Sequence, residues 1–212
     1  MKEKLQDQRI DYTIGALDID QVDKDPLKQF ALWYADYEAA KPKDPNAFSL
    51  ATASNDGQPH SRVLLLKGVD KGGFEFYSNY ESDKGKELAE NPKASMCFFW
   101  PELERQIRIE GLVEKLTEAE STAYFNSRPH GSQVGAWVSP QSQVIASRTI
   151  LEESAKDYSE KYPNQVPKPA HWGGYRLMPQ RIEFWQGRAS RLHDRVLYVR
   201  KEKQWILQRL AP

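Results

Sequence analysis

Cysteine is almost missing from this sequence: Cys97 stands alone among 212 residues. No intrachain disulfide can form, and a Cys-rich structural zinc site is excluded. An excess of charge is missing too, since 30 Lys and Arg balance 30 Asp and Glu. A general polyanion binder carries a basic surplus, so nucleic acid is disfavoured as a partner, although a local cationic pocket for a small phosphate is allowed. No apolar run approaches the length that spans a bilayer. The opening Met1-Lys2-Glu3-Lys4-Leu5-Gln6-Asp7 lacks the apolar stretch of a secretory leader. The expectation is a cytoplasmic protein without a membrane partner. Neither G-x-G-x-x-G nor G-x-x-x-x-G-K-[ST] occurs, so side chains must hold any phosphate.

Aromatic residues, by contrast, are plentiful, with six Trp and ten Tyr. They suit strands and packing against planar ligands. The first 24 residues are polar and without periodicity, and read as an arm. Residues 25–212 read as one domain. Asp25-Pro26 supplies an N-cap and a first-turn proline, and Leu27, Phe30, Trp33, Tyr34 and Tyr37 form one apolar helical stripe.

From Ala47 the texture turns to β. Strands over 48–54 and 60–67 flank the hairpin signal Asn55-Asp56-Gly57, and Phe74-Glu75-Phe76-Tyr77 follows Gly72-Gly73. Ser82 caps a short helix. Strands follow over 94–100 and 105–115, the first burying Cys97 as an unreactive thiol. Thr117 with Glu120 makes a capping box, Pro129 can start a further helix, and 147–162 reads as an amphipathic one. A Pro-rich loop leads to strands over 174–177, 181–186, 191–200 and 205–210. Six or seven strands with inserted helices, mostly joined by short turns, predict a mainly β, antiparallel barrel or sandwich rather than a doubly wound sheet.

Four clusters could carry chemistry. In an extended strand Arg191, His193 and Arg195 point to one face, where a bound anion would relieve their mutual repulsion; a solvated face with Asp194 pairing locally is the competing reading. Arg62 and Lys67 end the apolar run Val63-Leu64-Leu65-Leu66, as ligand contacts or as snorkelling cations. Strict alternation puts these two on opposite faces, so a bulge or twist must intervene if both meet one ligand. Ser82-Asp83-Lys84 opens a helix whose free N–H groups could hold a phosphate, or could simply be capped. Tyr124 and Arg128 share a helix face, with Ser132 just beyond.

Together these blocks resemble the pyridoxamine 5′-phosphate oxidase family. The resemblance is carried by Ile182-Glu183-Phe184-Trp185-Gln186 followed by Arg191-Leu192-His193-Asp194-Arg195. It extends through Arg62-Val63-Leu64-Leu65-Leu66-Lys67, Phe76-Tyr77-Ser78-Asn79, Glu104-Arg105-Gln106, Tyr124-Phe125-Asn126-Ser127-Arg128-Pro129, Gly135-Ala136-Trp137-Val138-Ser139 and Arg209-Leu210-Ala211-Pro212. It implies an FMN-binding split β-barrel, a homodimer with flavin at the subunit interface. It also implies oxidation of pyridoxamine 5′-phosphate and pyridoxine 5′-phosphate by dioxygen to pyridoxal 5′-phosphate, releasing hydrogen peroxide, and ammonia from the amine.

By matching position, the flavin falls to Arg62, Val63, Lys67, Tyr77, Ser78, Lys84, Gln106, Gln141, Ser142, Trp185 and Arg195. The substrate falls to Lys67, Tyr124, Arg128, Ser132, Arg191 and His193, with Arg191 and His193 as the catalytic pair. Asp83 departs from the pattern, since a second basic residue is expected beside Lys84. Arg9 and Tyr12 resemble a family segment that can close over the site.

Overall fold

A computed structural model describes residue 6 and residues 10–212 of the chain; Arg9 lies outside the described residues. Helix α1 (Pro26–Ala39) starts as its sequence dictates, the Asp25 side chain accepting from the Leu27 N–H with Pro26 in the first turn. The strands are β1 (Ala47–Ala53), β2 (Pro59–Leu65), β3 (Gly68–Asp70), β4 (Gly73–Asn79), β5 (Lys93–Trp100), β6 (Arg105–Lys115), β7 (Trp172–Gln186), β8 (Asp194–Lys201) and β9 (Gln204–Arg209). Between them lie α2 (Asp83–Glu90), α3 (Glu118–Ser127), α4 (His130–Val138) and α5 (Arg148–Lys161). The strands hydrogen-bond in the order β2-β1-β5-β6-β7-β4-β3, with β8 on β7 and β9 on β8. This is the mainly β, antiparallel architecture that the strand pattern predicts, in the split-barrel form that the family resemblance implies. No helix among the described residues is long and apolar enough to cross a membrane.

The chain forms two compact units, and β1, β5, β6 and β7 each contribute residues to both. The first unit holds residues up to Leu50, with Ser95–Gly111 and Pro179–Pro212. Its core sets the apolar stripe of α1 on the sheet: Phe30 meets Phe98 at 5.3 Å, Trp33 meets Phe184 edge-on at 5.2 Å, and Tyr37 stacks on Trp100 at 4.9 Å between ring centroids. Residues 10–24 form no helix or strand. They are nevertheless tied down, the Leu17 N–H donating to Asp194 Oδ2 at 3.0 Å and the Ile14 N–H to Glu104 Oε2 at 2.9 Å.

The second unit holds Ala51–Ala94 and Leu112–Met178. Here β4 pairs with the first part of β7, from Phe74 opposite Leu177 to Asn79 opposite Trp172. The Ser82 hydroxyl caps α2, and Thr117 and Glu120 form the expected capping box of α3. Phe125 of α3, Val134 of α4, Val166 and Trp172 make a buried cluster.

Three expectations need correction. The strands expected over 174–177 and 181–186 are one continuous β7. Pro179 falls between the run paired with β4, ending at Leu177, and the run paired with β8, starting at Arg181, so neither ladder needs its missing N–H. The strand expected from Arg191 begins only at Asp194. A short 3₁₀ turn, Ala189–Arg191, precedes it, with Ser190 and Arg191 at φ 57° and 61°. Arg191 and His193 are therefore not on the face of an extended strand. Cys97 is only half-buried, because Met96, Phe98 and Trp100 take the inward positions of β5. Burial still pushes its thiol pKa upward, the direction that disfavours the thiolate.

Candidate active site

The second unit contains a pocket of about 640 Å³. Val63 comes to it from β2, Tyr77 and Ser78 from β4, Tyr124 from α3, Arg128 from the turn after α3, Ser132 from α4, and Gln141 from the loop beyond. Lys67 completes the wall. It lies past the end of β2, its N–H donating to the Glu75 carbonyl at 2.8 Å, so strand alternation does not govern its direction. The α3–α4 turn that delivers Arg128 and Ser132 is held by buried Gln133. Its Nε2 donates to the carbonyls of Arg128, Phe125 and Asn126 at 2.9, 3.2 and 3.3 Å.

One wall of the pocket is a stack of rings. Tyr77 and Tyr124 lie 3.9 Å apart, and Tyr77 lies 5.5 Å from Trp172, all near parallel. Burial pushes the Tyr77 phenol up to about 12, so it stays protonated at neutral pH. The Arg128 guanidinium lies 4.5 Å from the Trp172 ring centroid, and its Nη1 is buried with no hydrogen-bond partner. Among the described residues it is the only buried, unpartnered side-chain atom that carries charge; the other two are Trp100 Nε1 and Tyr175 OH. Burial lowers the Arg128 pKa, a measure of how poorly its charge is solvated there.

Around the start of α2 a second polar cluster forms. The buried Lys84 ammonium donates to Ser82 Oγ at 3.1 Å and to Gln141 Oε1 at 3.2 Å, both neutral acceptors. Its pKa is lowered, first by burial and then by repulsion from Arg62. Ser78 Oγ meets the same Gln141 oxygen at 3.5 Å, and Ser142 Oγ accepts from the Asp83 N–H at 3.3 Å. Arg62 pairs with Glu87 at 3.2 Å and also donates to Thr52 Oγ1.

The first unit carries the remaining expected residues. The Trp185 and His193 rings lie 4.6 Å apart, with Tyr12 edge-on to Trp185 at 5.8 Å. His193 Nδ1 accepts from the Arg188 N–H at 3.1 Å, which places the proton of the neutral ring on Nε2. Arg195 is paired with Glu183 at 2.8 Å, and Asp194 with Arg188 at 2.8 Å. Gln106 is half-buried on β6 and Arg191 is exposed.

The structure thus gathers Val63, Lys67, Tyr77, Ser78, Tyr124, Arg128, Ser132 and Gln141 around one pocket, and joins Lys84 to it through Gln141. It does not align Arg191, His193 and Arg195 on a strand. Sequence reasoning passed over Trp172 and gave no site role to Gly135 and Ala136 of a quoted block, all of which also line the pocket. A signal for Trp172 was present in the two glycines after it. A Cβ on Gly174 would stand 2.8 Å from Tyr77 Cε1, so the ring stack needs bare backbone there.

The chain as a whole is similar to known proteins. Residues 36–162 match the family model described as pyridoxamine 5′-phosphate oxidase, and residues 172–212 that of the pyridoxine 5′-phosphate oxidase C-terminal dimerisation region. A pyridoxine/pyridoxamine 5′-phosphate oxidase of Ectopseudomonas mendocina is 55% identical over 215 residues, covering 100% of both chains. One of Trichormus variabilis is 52% identical over 214 residues, again with 100% of both covered. Among solved structures, PhzG from Burkholderia lata 383, in complex with tetrahydrophenazine-1-carboxylic acid, has a TM-score of 0.87 at 32% identity, covering 93% of this chain and 100% of its own. A pyridoxamine 5′-phosphate oxidase-related, FMN-binding protein from Nostoc punctiforme shares the fold with a TM-score of 0.72 at 18% identity, over 88% of this chain and 98% of its own. With a family model matched over more than half its length and relatives above 50% identity end to end, this chain belongs to the pyridoxamine 5′-phosphate oxidase family.

Proposed function

We propose that the protein is a cytoplasmic, homodimeric, FMN-dependent oxidase that converts pyridoxamine 5′-phosphate and pyridoxine 5′-phosphate to pyridoxal 5′-phosphate. The observation that carries this reading is the Arg128 guanidinium. Its buried, unpartnered Nη1 stands on the wall of a pocket that also presents Lys67, Tyr124 and Ser132. A guanidinium nitrogen that is buried without a hydrogen-bond acceptor is costly, and a phosphate supplies opposite charge and acceptors together. The dimer is supported by the match of residues 172–212 to a dimerisation region.

The residues present also suit FMN. Lys84 is a buried ammonium with only neutral hydrogen-bond partners, at the N-terminus of α2, where free N–H groups favour an anion. Arg62, Val63, Lys67, Tyr77, Ser78, Lys84, Gln106, Gln141, Ser142, Trp185 and Arg195 are the residues proposed to hold it, with the flavin at the subunit interface. When bound, FMN would supply two-electron redox chemistry between the substrate and dioxygen, giving hydrogen peroxide and, for the amine, ammonia with the uptake of one water. The protein's part is orientation. Lys67, Tyr124, Arg128 and Ser132 clamp the substrate phosphate, and the Tyr77–Tyr124 stack offers a flat apolar wall to a planar ring. Arg191 and His193 hold the substrate ring in place for reaction.

The test is a visible spectrum of the purified protein before and after anaerobic addition of pyridoxamine 5′-phosphate. Flavin absorption that bleaches and returns with air, with peroxide formed, is the expected result. A flavin that stays oxidised would assign the pocket to a different substrate, and a protein that takes up no FMN would overturn the oxidase reading.

A further inference from the structure

We infer that Trp172 is a positioning residue. Its ring holds the Arg128 guanidinium by its face, so that this cation is fixed in place without being neutralised, and selectivity for a phosphorylated substrate depends on it. This rests on the reading of the pocket given above and adds a residue to it.

The contrast within one unit carries the inference. Arg176 is buried there, whereas only part of the Arg128 guanidinium is, and Arg176 is surrounded by acid, with Glu75 at 2.6 Å and Glu114 and Glu120 each at 3.3 Å. Those carboxylates satisfy it and leave nothing for a ligand. Arg128 has no carboxylate partner among the described residues. Its neighbours are π faces: Trp172, with its ring centroid 4.5 Å from Cζ, and Phe125 at 5.6 Å. A ring face attracts a guanidinium through its quadrupole and restrains it in plane, yet occupies none of its N–H donors. A carboxylate in the same place would hold the cation equally well but compete with the phosphate.

Trp172 is itself held rigidly enough to act this way. It is 6% exposed, meets Phe125 edge-on at 5.2 Å, and its carbonyl accepts from buried Lys168 Nζ at 2.9 Å. Its ring lies within 7° of parallel to Tyr124, another pocket residue. The Tyr124 ring itself stacks directly on Tyr77 at 3.9 Å, so the side chain that the indole sets is Arg128.

Two variants of the FMN-loaded enzyme separate a π-face role from space-filling. Trp172→Phe keeps an aromatic face; Trp172→Met keeps an apolar filler and loses the face. We expect Trp172→Met to raise KM for pyridoxamine 5′-phosphate at least tenfold while kcat changes less than twofold. Inhibition by inorganic phosphate should weaken in parallel, turnover of unphosphorylated pyridoxamine should fall several-fold less than that of the phosphorylated substrate, and Trp172→Phe should recover most of the loss. Equal effects on phosphorylated and unphosphorylated substrates, or a Met variant that binds phosphate like the parent, would overturn the inference.

A measurement on the unaltered protein applies even if the variants do not fold. The Arg128 side-chain N–H resonances should be shifted upfield by the indole ring before any ligand is added, and should keep that shift on titration with inorganic phosphate. A ring shift that appears only with phosphate would mean Trp172 does not preset the cation. Failure of the parent protein to oxidise pyridoxamine 5′-phosphate would remove the oxidase reading, whereas the phosphate titration and the resonance shift would still decide the role of Trp172.

Discussion

Glu87, a buried acid on α2, stands 3.2 Å from the Arg62 guanidinium and holds it at the end of the cluster that includes Lys84. Thr52 Oγ1 donates to the same carboxylate, and His60 Nδ1 lies 2.9 Å from its other oxygen. Arg62 is thereby oriented by a group outside the proposed flavin set. The variant Glu87→Gln preserves shape but removes the charge that fixes Arg62. We expect its FMN dissociation constant, followed by flavin fluorescence quenching on reconstitution, to rise about tenfold, equivalent to about 1.4 kcal/mol. Unchanged affinity would show that Arg62 is positioned without Glu87.

The same residue sets an acid limit on stability. Burial alone would raise the Glu87 pKa, but hydrogen bonds from Thr52 and Arg62, with the Arg62 charge, outweigh it and leave the group below its ordinary 4.5. A carboxylate lowered in the folded state binds fewer protons there than in the unfolded chain. Its contribution is therefore complete above pH 4.5 and lost as pH falls through the lowered folded value. Thermal unfolding from pH 6 downward should show the parent losing its stability advantage over Glu87→Gln in that acid range. A difference between the two that does not vary with pH would contradict the linkage.

Elements whose ends are written in local hydrogen bonds were legible in the sequence. Asp25 with Pro26, Ser82, and Thr117 with Glu120 cap their helices as read, because a cap is decided within four residues. Much of the pocket was legible too, since Lys67, Tyr124 and Arg128 occur in blocks that resemble a family and Ser132 lies just beyond one of them. The conformation around Arg191 was not. Left-handed φ at Ser190 and Arg191 has no glycine to announce it. Alternating residue types there suggested a strand that tertiary context replaces with a turn. Trp172 was missed for a different reason. A tryptophan at a strand start reads as core, and its second task shows only when Arg128, 44 positions earlier, is seen across its face.

Asp83 puts a negative charge beside Lys84, where the proposed flavin phosphate needs a positive field. Its side chain is exposed, so the effect is screened and small. Asp83→Asn should tighten FMN binding about threefold at low ionic strength, a gain of ~0.6 kcal/mol that shrinks toward zero in high salt. The substitution also removes an acid from the first turn of α2, which should cost about 0.3–1 kcal/mol of stability. Binding and stability would thus move in opposite directions, in flavin titrations at two salt concentrations and in thermal melts of the apoprotein. Flavin affinity that does not respond to salt in either protein would place Asp83 outside the phosphate's field.

Gly174 is required by space rather than by backbone conformation. A Cβ there would lie 2.4 Å from Leu116 Cδ1 and 2.8 Å from Tyr77 Cε1. Leu116 is buried, and Tyr77 is confined by its stack with Tyr124 at 3.9 Å. Gly174→Ala should therefore destabilise by about 1–3 kcal/mol, as overpacked sites do, and lower Tm by roughly 2–4 °C per kcal/mol for a chain of this size. Gly131, in the first turn of α4, is the control, because a Cβ there meets nothing within 4 Å. Gly131→Ala should hold or raise Tm, since alanine costs less conformational entropy in a helix by about 0.5–1 kcal/mol. If both substitutions behaved alike, the close approach of Tyr77 to β7 would not be what glycine protects. If only Gly174→Ala falls, and pyridoxamine 5′-phosphate affinity falls with it, the ring stack is both a packing element and the wall of the site.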